Sequence, residues 1–170
     1  DRHLDLIGIG MLFSMSRRPA LNALACLRYR NEFGANAVFT LQTSEEKDVS
    51  EKKTIGRHID GTQLFGQDIT HAKLASILSK GGEIRTKLLT DNFDFSAYKE
   101  KYGGHVLPLY ALTKSGRLYV FTTDSDIKPE SGWTTTCLLS PEVVEKQEAS
   151  DIQEKLAVKN NSSIGTPTSQ

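Results

Sequence analysis

The chain has 170 residues, 38% of them hydrophobic and 25% charged, proportions that allow a buried core. Lysine plus arginine and aspartate plus glutamate are equal at 21 each, which argues against the basic face of a nucleic-acid platform. No apolar stretch approaches the roughly 20 residues of a membrane-spanning helix, and the run from Leu6 to Phe13 is short, glycine-broken and without a cleavage signature.

In chain order, Gly8-Ile-Gly-Met-Leu-Phe-Ser-Met-Ser16 is a compact apolar run that suits a strand buried on both faces. Ser16-Arg-Arg-Pro19 predicts a helix start, with Ser16 as the cap and Pro19 in the first turn. Leu21, Leu24, Ala25, Leu27 and Tyr29 form its apolar face, and Gly34 ends it. Ala37-Val-Phe-Thr-Leu-Gln42 is the next strand. Strand, helix, strand with short loops gives a βαβ unit in a parallel sheet.

From Ser44 to Gly61 the chain is charged with mixed signs and no apolar period, as a solvated linker is. A helix is expected over Ile69 to Leu78, closed by Gly81-Gly82, then a strand over Glu83 to Thr90. Asp94 to Tyr102 reads as a short amphipathic helix ended by Gly103-Gly104. Val106 to Leu112 and Arg117 to Thr122 flank Lys114-Ser-Gly116, a β-hairpin signal. Pro108 marks the first arm as an edge strand or one that begins late. A turn at Lys128 to Trp133 leads to a β-prone run from Thr134 to Leu139.

The fold class is therefore α/β: the carboxyl-terminal half of a Rossmann-like parallel-sheet unit followed by a small α+β domain. The expected division is 1–43 for the Rossmann-like part, 44–61 for the linker and 62–141 for the small domain. The remainder, 142–170, is expected to be a largely disordered tail with a fraying helix from Val143 to Leu156. Asp1 in place of an initiating methionine fits a segment of a longer protein.

Gly8-Ile-Gly10 is not a dinucleotide fingerprint. The third glycine of G-x-G-x-x-G would fall at Phe13, and the glycines precede the strand instead of following it. Ser16-Arg-Arg18 is the better candidate. It lies between the carboxyl end of a parallel strand and the amino end of a helix, where two guanidinium groups suit an anion. Ser16, Arg17, Arg18 and Asn22 are thus the candidate ligand-binding residues.

His3, His58, His71 and His105 form no H-x-x-x-H pair, and Cys26 and Cys137, each in an apolar run, have no C-x-x-C neighbour. The expectation is no metal site, no catalytic residue and two buried thiols of a reducing compartment. Asp91, Asp94 and Glu100 read as caps and surface charge, and Phe93, Phe95, Tyr98 and Tyr102 as core packing.

Several of these segments together resemble a known family. Leu6-Ile-Gly-Ile-Gly-Met-Leu-Phe-Ser-Met-Ser, Asn22-Ala-Leu-Ala and Tyr29-Arg-Asn-Glu-Phe-Gly34 look like the back half of the Rossmann domain that regulates potassium conductance and uptake. The version they resemble is attached to bacterial sodium:proton antiporters. Leu64-Phe-Gly66, Leu88-Leu-Thr-Asp-Asn-Phe-Asp94, Leu107-Pro-Leu109 and Ser131-Gly-Trp133 are similar to the small domain that follows there. The resemblance spans about Leu4 to Ser140.

It implies a non-enzymatic regulatory region at the cytoplasmic face of the bacterial inner membrane, homodimeric, and partnered by the transmembrane antiporter domain of the same chain. No nucleic acid is implied. No cofactor is expected in this segment, because the family's glycine-rich nucleotide loop would precede Asp1; whether a nucleotide binds is a question for the intact domain. The rival expectations are a fragment of a nucleotide-dependent oxidoreductase, or an interaction module that docks a partner through Phe93 to Tyr102.

Overall fold

The computed structural model describes residues 8–42, 61–147 and 149–150. The linker expected over 44–61, apart from Gly61, lies outside the described residues, as do residues 151–170 of the expected tail.

Gly8, at φ 84°, opens a turn ahead of β1 (Leu12–Ser14), so the glycines do precede the strand. Helix α1 (Pro19–Phe33) follows. Proline at the first helical position has a fixed φ and needs no N–H partner, which makes Arg18 the residue that precedes the helix. Ser16 is therefore not the cap expected from the sequence. It stands two residues upstream, and Arg18 itself makes no side-chain capping bond. Gly34, at φ 84°, ends the helix, with its N–H donating to the Arg30 carbonyl at 2.9 Å. A 3-10 turn over Ala35–Ala37 leads into β2 (Val38–Thr40), which lies parallel to β1 with Phe13 opposite Phe39.

The face of α1 that meets the sheet is not the leucine face. Leu21, Leu24 and Leu27 are exposed, while Asn22 and Cys26 are buried. Asn22, Cys26 and half-buried Tyr29 fall within one narrow stripe at 3.6 residues per turn, and the leucines lie off it.

The chain re-enters at Gly61, and β3 (Thr62–Gln63) adds a third parallel strand beside β2. Helix α2 (His71–Ser79) is capped by Thr70, whose hydroxyl accepts from Lys73 N at 3.2 Å. Then come β4 (Glu83–Leu88), α3 (Phe95–Tyr102), β5 (Val106–Leu112), β6 (Leu118–Val120) and β7 (Thr134–Leu139). These four strands form an antiparallel sheet in the order β4-β7-β5-β6. The mixed α/β architecture, a parallel sheet with a helical crossover followed by a small antiparallel unit, is the one expected from the sequence.

The hairpin turn closes as its sequence suggests, with Thr113 N donating to Arg117 O and Gly116 N to Thr113 O, each at 3.0 Å. Pro108, however, does not mark an edge. Strand β5 lies inside the sheet between β7 and β6, and the missing N–H is absorbed by a register shift between Pro108 and Tyr110.

The two sheets share a seam at β3. On one side Leu64 N donates to Thr40 O at 2.9 Å. On the other, Phe65 N donates to Phe121 O at 2.8 Å and Thr123 N to Gln63 O at 3.0 Å. Alternate residues of an extended strand present their polar groups to opposite edges, so 62–65 can bond β2 and the end of β6 at once.

Leu64, fully buried, anchors a core that draws from both sheets: Phe39 and Leu41 beside Ile69 and Val120. A second cluster joins Leu89, Phe95, Tyr98 and Cys137, with Phe93 and Tyr102 packed against it. The aromatic segment thus lies mainly within the core, as expected, and Asp94 caps α3 by accepting from Ala97 N at 2.7 Å. Past the last strand, a helix over 141–147 lays Val143 and Val144 against Leu139. Gly82 is required where α2 returns to the sheet, since a Cβ there would lie 2.6 Å from Ile77 Cγ2 and 2.8 Å from Leu139 O.

Candidate functional site

The carboxyl ends of β1 and β2 point to the same side, as parallel pairing demands, and the amino termini of α1 and α2 both approach that edge. Between them lies a cleft of about 400 Å³, within the range of small-ligand pockets. Ser16, Arg17, Pro19 and Asn22 line one side, and Leu41 with Gln42 follow β2 into its floor. Thr70, the cap of α2, and His71 close the other side, with Ala72 and Ala75 beyond them.

The β1–α1 turn is held by one amide. Asn22 Oδ1 accepts from Ser16 N at 3.0 Å and from the Ser16 hydroxyl at 2.6 Å, while Asn22 Nδ2 donates to Ser16 O at 3.0 Å. The Ser16 hydroxyl accepts in turn from Arg18 N at 3.1 Å. The Ser14 hydroxyl also faces Asn22, 3.3 Å from both its side-chain and main-chain oxygens. Asn22 is buried, so its end of these bonds is shielded from water, and they fix the mouth of the cleft.

Of the four candidate residues, the cleft brings together Ser16, Arg17 and Asn22. Arg18 stands on the exposed surface outside its lining. Arg17 is exposed and enters no ion pair among the described residues, so its guanidinium is available to an anion. Asn22 has its carboxamide oxygen committed to the turn, and its role in this geometry is to position Ser16 and Arg17.

Gln42, Thr70 and His71 were missed by the sequence reading. Thr70 could have been found as a cap before the α2 pattern. Gln42 and His71 carry no local signal, because only the fold sets β2 beside α2. Gln42 also accepts from Asp68 N at 2.7 Å through Oε1, tying the floor of the cleft to the turn before α2.

A second, apolar groove of about 300 Å³ runs between the sheets, lined by Phe13, Met15, Phe65, Leu109, Tyr110, Leu118 and Val120. It offers no charged group to orient a polar ligand. Among the described residues, no group of three or more His, Cys, Asp or Glu side chains is placed to hold a metal. No helix among them is long and apolar enough to cross a membrane. Cys26 and Cys137 are both buried, free thiols.

Fold and cleft together define an α/β chain in which a cleft carrying Arg17 opens at the carboxyl ends of parallel strands, the edge where such folds bind ligands. No protein-family model matches the chain, and no curated protein matches it. Among solved structures it is similar to a crystal structure of the GsuK RCK domain, at 9% identity and a TM-score of 0.30. That match covers 84% of this chain and 33% of the other, so the chain spans about a third of that structure's length.

Proposed function

We propose that this chain is a non-enzymatic, ligand-sensing regulatory region of a monovalent cation:proton antiporter, working at the cytoplasmic face of the bacterial inner membrane. It acts as a homodimer whose partner is the transmembrane antiporter domain of the same protein. The ordered segments quoted above support the transporter part of this reading. The cleft between the amino termini of α1 and α2, with Arg17 at its mouth, supports the sensing part and is the observation that carries it.

An anionic ligand fits this cleft best. The positive end of the dipole at each helix start attracts negative charge, and Arg17 adds a planar, fully charged donor. A ligand that prefers one arrangement of the cleft shifts the population of the attached transporter by its differential affinity.

Antiport measured in membrane vesicles, with the segment present and deleted, tests the regulatory role. The expected outcome is a change in rate or in pH and ion dependence; identical behaviour would sink it. Calorimetry with nucleotide and inorganic-anion titrants tests the cleft, with saturable heat expected for the wild type and lost in Arg17→Ala.

A further inference from the structure

We infer that the turn over 65–68 is a relay that couples occupancy of the cleft to the seam between the two sheets; this rests on the anion-binding reading of the cleft. The turn holds one residue, Phe65, in a conformation that its side chain disfavours. Phe65 at φ 64° and Asp68 at φ 61° both occupy the left-handed region, with Gly66 at φ 107° between them. A bulky aromatic there is kept in place by its surroundings.

Those surroundings reach in two directions. Toward the seam, Phe65 N donates to Phe121 O at 2.8 Å, and its ring packs against the core that holds Leu64 and Val120. Toward the cleft, Asp68 N donates to Gln42 Oε1 at 2.7 Å. Gln42 lines the cleft, so an anion or its hydration shell that draws the Gln42 carboxamide inward removes that restraint. The turn then relaxes toward ordinary backbone angles and withdraws Phe65 from Phe121. Leu41 gives the same route an apolar branch, because it lines the cleft and packs with Leu64 and Ile69.

The test is amide hydrogen exchange on the full chain, followed at Phe65 and Thr123, the two seam donors to the antiparallel side. Gln42→Ala without ligand is expected to speed exchange at both by about fivefold, the loss of one net hydrogen bond, with the β5–β7 pair unchanged. Inorganic phosphate, the probe, is expected to speed the same two amides in the wild type and to add nothing in Gln42→Ala. Unchanged seam exchange in Gln42→Ala overturns the relay, whether or not phosphate binds. So does phosphate binding that leaves the seam amides unaltered, and so does a uniform loss of protection reaching Ala111 and Cys137. If phosphate does not bind but Gln42→Ala loosens only the seam, the relay stands and the anion reading of the cleft fails.

Discussion

The parallel and antiparallel halves are held together by different means. Strands β1, β2 and β3 have 3, 3 and 2 residues, whereas β4, β5, β6 and β7 have 6, 7, 3 and 6. The antiparallel half encloses Leu89, Tyr98, Cys137 and Leu139 under α3 and the helix over 141–147. The parallel half leaves Leu21, Leu24 and Leu27 on its outer surface and relies on the Asn22 amide to close its one functional turn. A polar, thinly packed edge beside a well-packed support is the arrangement that leaves a cleft free to respond to a ligand.

Leu64 is where this comparison should break. It is fully buried, and its main-chain N–H bonds the parallel sheet while its neighbours bond the antiparallel one. Leu64→Ala should cost about 4 kcal/mol, in the range for a buried leucine left as a cavity. Urea unfolding followed by far-ultraviolet dichroism and by the fluorescence of Trp133 should shift together. If only one signal shifts, the halves are energetically separate and the shared core is not their bond.

The antiparallel half should carry an alkaline sensitivity centred on Cys137 and Tyr98. Burial pushes the Cys137 thiol up to about 12 from an ordinary value near 9, and burial also raises the Tyr98 hydroxyl, helped by Cys137 beside it. Folding therefore favours the neutral thiol. Its contribution is complete below the unfolded pKa and drains away as pH rises from about 9 toward 12, because only the unfolded chain ionises freely there. The loss should be on the order of 3 kcal/mol by pH 11. Unfolding free energies from pH 8 to 11 for the wild type and Cys137→Val check this, the variant being expected to fall less steeply; equal slopes would move the sensitivity elsewhere.

Much of this contrast could be read from residue order. Pro19 and Gly34 bracket α1, Asp94 caps α3, and Lys114-Ser-Gly116 closes the hairpin because each has a conformational reason to sit there. What was illegible depends on contacts distant in sequence. Pro108 looks like an edge residue until β7 is seen beside it, and the leucines of α1 look like a core face until Asn22 and Cys26 take the inward stripe. That Ser16 and Arg17 stand at the strand end where the cleft opens was legible from their place between strand and helix. Gln42 and His71 were not, since only the re-entry of the chain at Gly61 brings α2 opposite α1.

The polar staple of the parallel half supplies the next test. Asn22→Ala removes the acceptor of Ser16 N and of the Ser16 hydroxyl in a half-buried turn. Leaving such groups unpaired should cost about 2 kcal/mol. The loss should be local: exchange should quicken at Ser16 and through the first turn of α1 while the β4–β7 pair keeps its protection. Arg17 would lose its fixed placement, so anion affinity should fall further than stability does. A variant that unfolds both halves alike would show that the staple supports the whole molecule.

The smallest effect sharpens the comparison most. Leu24 is 62% exposed on α1, the most open of the exposed large hydrophobic side chains, and a surface substitution away from caps and networks changes stability by no more than about 0.5 kcal/mol. Leu24→Ser should therefore leave the urea midpoint of the isolated chain almost where it was, although by sequence pattern alone it should have opened a core. The corresponding change at Cys26, on the stripe that meets the sheet, has no such freedom, because the thiol is 1% exposed and its Sγ lies 3.1 Å from where a Cβ would stand at Gly61. If Leu24→Ser destabilises as much as a core substitution in dilute solution, the leucine face is buried in the form that folds, and the thin packing of the parallel half is completed by an association of chains.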